Sequence, residues 1–199
     1  LAAPALAIGA PGGALARALV LARLGGGQHT LHRLSDAPEL RDAHFDGRLR
    51  VVAVDRANGR RVVFGAPGAP PATVGAAVAA SCAVPGVFHP VTIGGREYVD
   101  GGAWSLTNLD VVTGGRDTEV LLVDVFASLP IDALSPAAAM RASSRIASAI
   151  EAQTLRARGA RVTTIAPDAA ATEVLADGLM RPRAAPAALV AGWRQGLRG

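Results

Sequence analysis

The hydrophobic positions fall into short runs of two periods, punctuated by glycine and proline. Leu15 to Leu24 places its apolar residues at helical spacing and stops at Gly25-Gly26-Gly27, which predicts a helix and then a loop. Gln28 to Asp46 is polar, with a helix-like patch from Ser35 to His44. Leu49 to Asp55 is partly alternating and then continuously apolar, the pattern of a strand. Asn58-Gly59 predicts a hairpin returning through Arg61-Val62-Val63-Phe64. After a Pro/Gly loop from Gly65 to Pro71, Thr73 is a candidate N-cap for a helix of small apolar residues, Val74 to Ala83. Pro85 and Gly86 end it, because proline lacks the amide donor and its predecessor is pushed out of the helical region. Val91-Thr92-Ile93 and Arg96-Glu97-Tyr98-Val99 flank Gly94-Gly95, a two-residue hairpin loop, and the second strand delivers Asp100, Gly101 and Gly102.

Farther along, Glu119 to Phe126 is nearly all apolar, which predicts a strand buried on both faces. Ser135-Pro136 is an N-cap and first-turn pair for a long helix, Ala137 to Arg158, stopped by Gly159. Met140, Ile146, Ile150 and Leu155 fit one stripe of that helix. Arg161 to Ala166 reads as a short strand, Arg181 to Pro186 as a loop, and Thr172 to Leu179 and Ala187 to Leu197 as closing helices. Hydrophobic strands separated by helices predict an α/β domain of three layers with a mainly parallel sheet.

Composition narrows this picture. The chain has 199 residues, 50% hydrophobic and 18% charged, which suits one globular domain with a real core. All 20 basic residues are arginine, a bias that fits a GC-rich coding sequence better than a functional demand. The formal charge of +4 comes with scattered arginines and few aromatics, so no nucleic-acid partner is expected. Weak, transient attraction to an acidic membrane surface is compatible with that charge. Cys82 is the only cysteine, so no internal disulfide forms; a cytoplasmic location is the expectation, with Cys82 packed as a small hydrophobe. His29, His32, His44 and His89 lack cysteine or acidic partners at ligand spacing, and neither a metal nor a cofactor is expected. Leu1 to Ala10 has no charged leader and is interrupted by Pro4 and Gly9, unlike a signal peptide. No apolar run reaches the ~20 residues that span a bilayer.

The chemistry centres on Asp100. A carboxylate followed by two residues without Cβ atoms can face a pocket while substrate or another loop approaches closely. An Asx-type turn after a hairpin is the competing reading. The string A-S-C-A-V-P-G-V-F-x-P-V-x-I-G-G-R-x-Y-V-D-G-G, from Ala80 to Gly102, resembles the second signature of patatin-like phospholipases and acyl hydrolases. Thr107, Asn108 and Asp110 resemble the T-N-x-D that follows it in bacterial members. The A-V-D and N-G-R-R-V-V-F-G upstream extend the similarity, which runs from about His29 to the C-terminus. The resemblance implies a three-layer α/β/α fold and a Ser–Asp dyad acting on a lipid or ester substrate. It makes Asp100 the proton acceptor within the motif Asp100, Gly101 and Gly102.

Such a hydrolase also needs a glycine-rich oxyanion loop and a serine in G-x-S-x-G. Ser35, Ser81, Ser105, Ser128, Ser135, Ser143, Ser144 and Ser148 all stand outside that frame, so this chain holds no nucleophile. The expectation is that residues 1–199 form the C-terminal part of a longer domain whose N-terminal part, with loop and elbow, is missing. The alternative is a catalytically dead pseudoenzyme or an α/β interaction module. A nucleotide-binding domain ranks last, since no phosphate loop follows a strand. Asn108 and Asp110 are expected to hold the turn by side-chain-to-backbone bonds. Among other carboxylates Glu97 sits on an exposed-looking strand, and Asp124, ending a buried one, is the second candidate. A sheet without its missing strands should expose apolar surface.

Overall fold

The computed structural model describes residues 13–128, 136–178 and 182–198. Helix α1 (Ala14–Arg23) buries Ala14, Arg17, Ala18 and Leu21, which share one face at spacings of three and four. Two one-turn helices follow, α2 (His32–Ser35) and α3 (Pro38–Arg41), where one helical patch was expected. Pro38 begins a new helix because it cannot extend the old one.

Strands β1 (Val51–Asp55) and β2 (Arg61–Phe64) pair as a hairpin, Val51 opposite Phe64 and Val54 opposite Arg61. Helix α4 (Val74–Ser81) starts where expected: the Thr73 hydroxyl accepts the N–H of Ala76 at 3.1 Å. It stops at Ser81, short of Ala83. The chain turns at Cys82 so that the Ala83 carbonyl accepts the N–H of Asp100 at 3.0 Å. Strands β3 (Val91–Ile93) and β4 (Arg96–Asp100) form the second hairpin, Val91 opposite Tyr98. Gly94 and Gly95 both take positive φ, 56° and 76°, as a tight two-residue turn requires.

These strands make one sheet in the order β2-β1-β4-β3, and every neighbouring pair is antiparallel. This corrects the expectation of a mainly parallel sheet. Both hairpin signals were legible, and tight hairpins force antiparallel neighbours. On one side of the sheet Val51, Ala53, Phe64, Ile93 and Tyr98 pack with Ala77 and Ala80 of α4. In a second cluster, Leu21 of α1 meets Val54, Val99 and Ala103. All five residues of β1 are buried.

The rest of the chain forms β5 (Glu119–Val123), α5 (Pro136–Ala157), β6 (Arg161–Ile165), α6 (Ala169–Gly178) and α7 (Ala185–Gly196). Here the pairing is parallel, β5 beside β6 with Val123 opposite Ile165. The expected burial of β5 on both faces is wrong. Val120 joins Leu109, Ala152, Leu155 and Ala160 in a core, but Leu121 and Val123 are 62% and 64% exposed. A two-stranded sheet covered on one side leaves every second residue outside. Ile150 is also exposed and leaves the predicted stripe, while Leu155 is buried. Ser135 and the side chains of Met140 and Ile146 lie outside the described residues. Gly159 does end the helical segment, with φ of 95°. The two sheets are tied through Glu151 of α5, whose Oε2 accepts from the Thr107 hydroxyl and the Leu109 N–H, each at 2.8 Å.

Candidate active site

Asp100 is the last residue of β4, opposite the fully buried Ala53 of β1. Its N–H is bonded to the Ala83 carbonyl, two residues past the end of α4, so the neighbouring strand and the turn after the helix fix the backbone from both sides. The carboxylate turns back on the chain: Oδ1 accepts the N–H of Gly102 at 2.6 Å and caps a short 3-10 turn, Gly101–Ala103. Gly101 must be glycine, since a Cβ would sit 2.5 Å from the Val52 carbonyl oxygen. Among the described residues, no hydrogen bond reaches Oδ2.

Burial pushes the Asp100 carboxyl up from its ordinary value of 3.8 to about 6, and the Gly102 N–H offsets only part of that. Among the described residues, no arginine enters that balance. A half-buried carboxyl with one oxygen held, and with no cation beside it among the described residues, exchanges its proton nearer neutral pH than an ordinary aspartate does.

The turn after Asp100 is braced by residues far away in sequence. Asn108 adopts the left-handed conformation, φ 46°, and its Nδ2 donates to the carbonyls of Gly101, at 3.3 Å, and Ser105. Arg61 of β2 donates to Asn108 Oδ1 at 3.2 Å and grips Asp110 with both guanidinium nitrogens, at 2.6 and 2.7 Å. Asn108 therefore holds the turn as expected, whereas Asp110 pairs with an arginine instead of the backbone. Arg17 of α1, fully buried, donates to the Ala103 carbonyl at 3.1 Å and the Gly59 carbonyl at 2.6 Å. The Trp104 ring lies 4.3 Å from the Arg17 guanidinium carbon and 5.0 Å from that of Arg61. Burial, then the Arg61 charge, lowers the Arg17 pKa.

Sequence reasoning missed Arg17, Arg61 and Trp104. One signal was present: Arg17 falls on the apolar stripe of α1, in phase with Ala14, Ala18 and Leu21. A charge on a buried stripe needs partners, and here they are carbonyls and a ring.

The other candidates separate from Asp100. Cys82, expected to be packed, is exposed, because α4 ends before it and leaves it as the cap. Partial desolvation and the nearby Asp100 charge push its thiol up, which makes it a poor nucleophile. Glu97 is exposed and paired with Arg56 at 2.7 Å. Asp124 follows β5 in the second sheet, where Oδ1 accepts the Phe126 N–H at 3.0 Å, and it takes no part in the Asp100 turn. The four histidines are exposed or lie near the surface. Among the described residues, no group of three or more His, Cys, Asp or Glu is placed to hold a metal ion.

A mixed α/β chain with a half-buried strand-end aspartate and a glycine pair behind it defines the class. The family model for patatin-like phospholipase matches residues 10–113, more than half of the chain, and the chain belongs to that family. The family is one of lipid acyl hydrolases, which act on lipid substrates. A comparison with curated proteins gives no match. Among the described residues, no helix is long and apolar enough to cross a membrane.

Proposed function

We propose that this chain supplies the base of a Ser–Asp dyad that hydrolyses carboxylic esters of lipids, with Asp100 as proton acceptor. The observation that carries the reading is the Asp100 carboxyl itself, raised to about 6 by burial, with Oδ1 fixed by Gly102 and Oδ2 open. A serine hydroxyl placed against Oδ2 gives up its proton as its oxygen bonds to the ester carbonyl carbon. The tetrahedral intermediate collapses, the carbon–oxygen bond to the alcohol breaks, and Asp100 returns the proton to the departing oxygen. Water repeats the sequence on the acyl-enzyme, with Asp100 taking its proton, and restores the serine. Asp100 works without a histidine because desolvation has already moved its pKa toward the working pH.

Since none of the eight serines stands in G-x-S-x-G, the nucleophile and the oxyanion loop belong to a segment outside residues 1–199. In this reading residues 1–199 are the C-terminal part of a three-layer α/β/α domain. The parallel β5–β6 pair, with α5 as its crossover, is the part most like the expected parallel sheet. A pseudoenzyme or interaction module is the second reading, and the Asx geometry favours it: a carboxylate already bonded to the next-but-one amide can serve as a turn residue alone.

Fluorophosphonate labelling separates the two. The full-length protein should label at one serine in a G-x-S-x-G frame, and residues 1–199 alone at none of the eight present. Labelling of the isolated chain, or none of the full-length protein, overturns the dyad.

A further inference from the structure

Helix α7 is built inside out. Its half-buried positions are Ala188, Ala191 and Gln195, with Ala184 just before it. Gln195 fastens the helix by donating to the Ala166 carbonyl at 2.7 Å and accepting the Asp168 N–H at 3.0 Å. The large apolar side chains point the other way. Leu189, Trp193 and Leu197 are 74%, 69% and 73% exposed. Spaced by four residues, they form one outward stripe along the helix, widened by the exposed Val190. Aligned apolar side chains of this kind, with an indole among them, differ from singly scattered surface residues.

The charge around it is one-sided. From Arg181 to Gly199 the chain carries Arg181, Arg183, Arg194 and Arg198 and no acidic residue, so this stretch alone accounts for a formal charge of +4, equal to that of the whole chain. Arg198 is paired with Asp168, which leaves the exposed Arg183 and Arg194 to carry the outward charge. Self-pairing of two copies through this stripe would bring Arg194 close to its counterpart, an unfavourable arrangement. Leucine and tryptophan flanked by arginine suit an anionic interface with apolar depth.

We propose that the outer face of α7 docks on an anionic lipid bilayer, with Leu189, Trp193 and Leu197 entering the acyl boundary and Arg183 and Arg194 meeting the head groups. The proposal deepens the acyl-hydrolase reading and rests on it for the choice of lipid as occupant.

The test uses residues 1–199 and sedimentation with vesicles of phosphatidylcholine mixed with phosphatidylglycerol, against phosphatidylcholine alone. Binding should favour the mixed vesicles and weaken as salt is added. Leu189→Ser with Leu197→Ser should lower partitioning by at least about tenfold, and each of Arg183→Gln and Arg194→Gln by about fivefold. Should the double serine variant fail to fold, wild-type protein still reports: brominated lipid should quench tryptophan emission, and Trp193→Phe should abolish the quenching. Failure of the Asp100 assignment would appear in ester turnover by the full-length protein, whereas Asp100→Asn in residues 1–199 should bind vesicles like wild type. The proposal is overturned by equal partitioning to both vesicle types, by quenching that survives Trp193→Phe, or by a concentration-dependent dimer that the serine variant abolishes without any vesicle binding.

Discussion

Strands β1 and β5 are close in composition, VVAVD and EVLLV, and opposite in fate. Every residue of β1 is buried, because it is an inner strand and its side chains enter both of the clusters that include α1 and α4. In β5 only Val120 is buried, since the second sheet has two strands and its core lies with α5. The first region closes its own core and carries Asp100 at its centre. The second leaves Leu121, Val123 and Ile165 exposed along its strands. The family match, residues 10–113, ends where the first region does. Apolar sequence makes a strand, but the number of its neighbours decides whether both faces are buried.

The sharpest way to break this comparison is to remove the carboxylate at the centre of the closed region. In the full-length protein, Asp100→Asn should lower kcat by ~10²- to 10⁴-fold, the usual worth of a general base. Asp124→Asn, in the open region, should leave turnover near wild type. Ester hydrolysis by the two variants is the measurement. Near-normal turnover by Asp100→Asn would end the dyad assignment and leave the aspartate as a turn residue.

Much of the closed region was legible because its signals are local. The Thr73 cap, the Gly94-Gly95 turn and the strand that ends at Asp100 each follow from a few neighbouring residues. What could not be read is set by distance. Asn58-Gly59 announces a hairpin, but nothing nearby says that β1 will lie beside β4, where Val54 pairs with Val99, 45 residues on. The Arg17–Trp104–Arg61 brace joins three segments separated throughout the region, and only the misplaced charge on α1 hinted at it. Exposure of β5 was unreadable for the same reason, since it depends on strands that are not beside it.

Arg17→Ala tests whether the brace or the sheet holds the first region together. It takes the Arg17 donors from the Gly59 and Ala103 carbonyls and removes the nearer of the two guanidinium groups beside Trp104, leaving Arg61. A loss of roughly 4 kcal/mol is expected from two unsatisfied buried acceptors and the vacated volume. Denaturant melts should show it. A loss below about 1 kcal/mol would mean that water or neighbouring groups replace the guanidinium readily.

The aspartate proposed as the base should cost stability. Its folded pKa, about 6, lies above the ordinary 3.8, so the folded state holds the proton more tightly. The penalty is absent below the unfolded pKa, grows between the two values and is complete above the folded one. It amounts to at most about 3 kcal/mol. Asp100→Asn should therefore be more stable than wild type at pH 8, by about 1 to 2 kcal/mol, and match it near pH 3. Asparagine keeps the Gly102 bond but adds an NH2 group that needs an acceptor, hence a gain below the maximum. A variant less stable than wild type at pH 8 would identify Asp100 as a structural turn residue.

The smallest effect belongs to the open region and tests its openness directly. Val123→Thr swaps a methyl for a hydroxyl on a side chain that is 64% exposed and in β-compatible geometry. Threonine keeps the strand preference, so stability should change by less than about 0.5 kcal/mol. The same exchange at Val54, fully buried beside Leu21, Val99 and Ala103, places a hydroxyl among apolar groups and should cost more than about 1 kcal/mol. Paired denaturant melts of the two variants measure the contrast without any substrate. If Val123→Thr costs as much as Val54→Thr, the outer face of β5 is covered in solution, and the difference between the two regions is one of exposure in the isolated chain only.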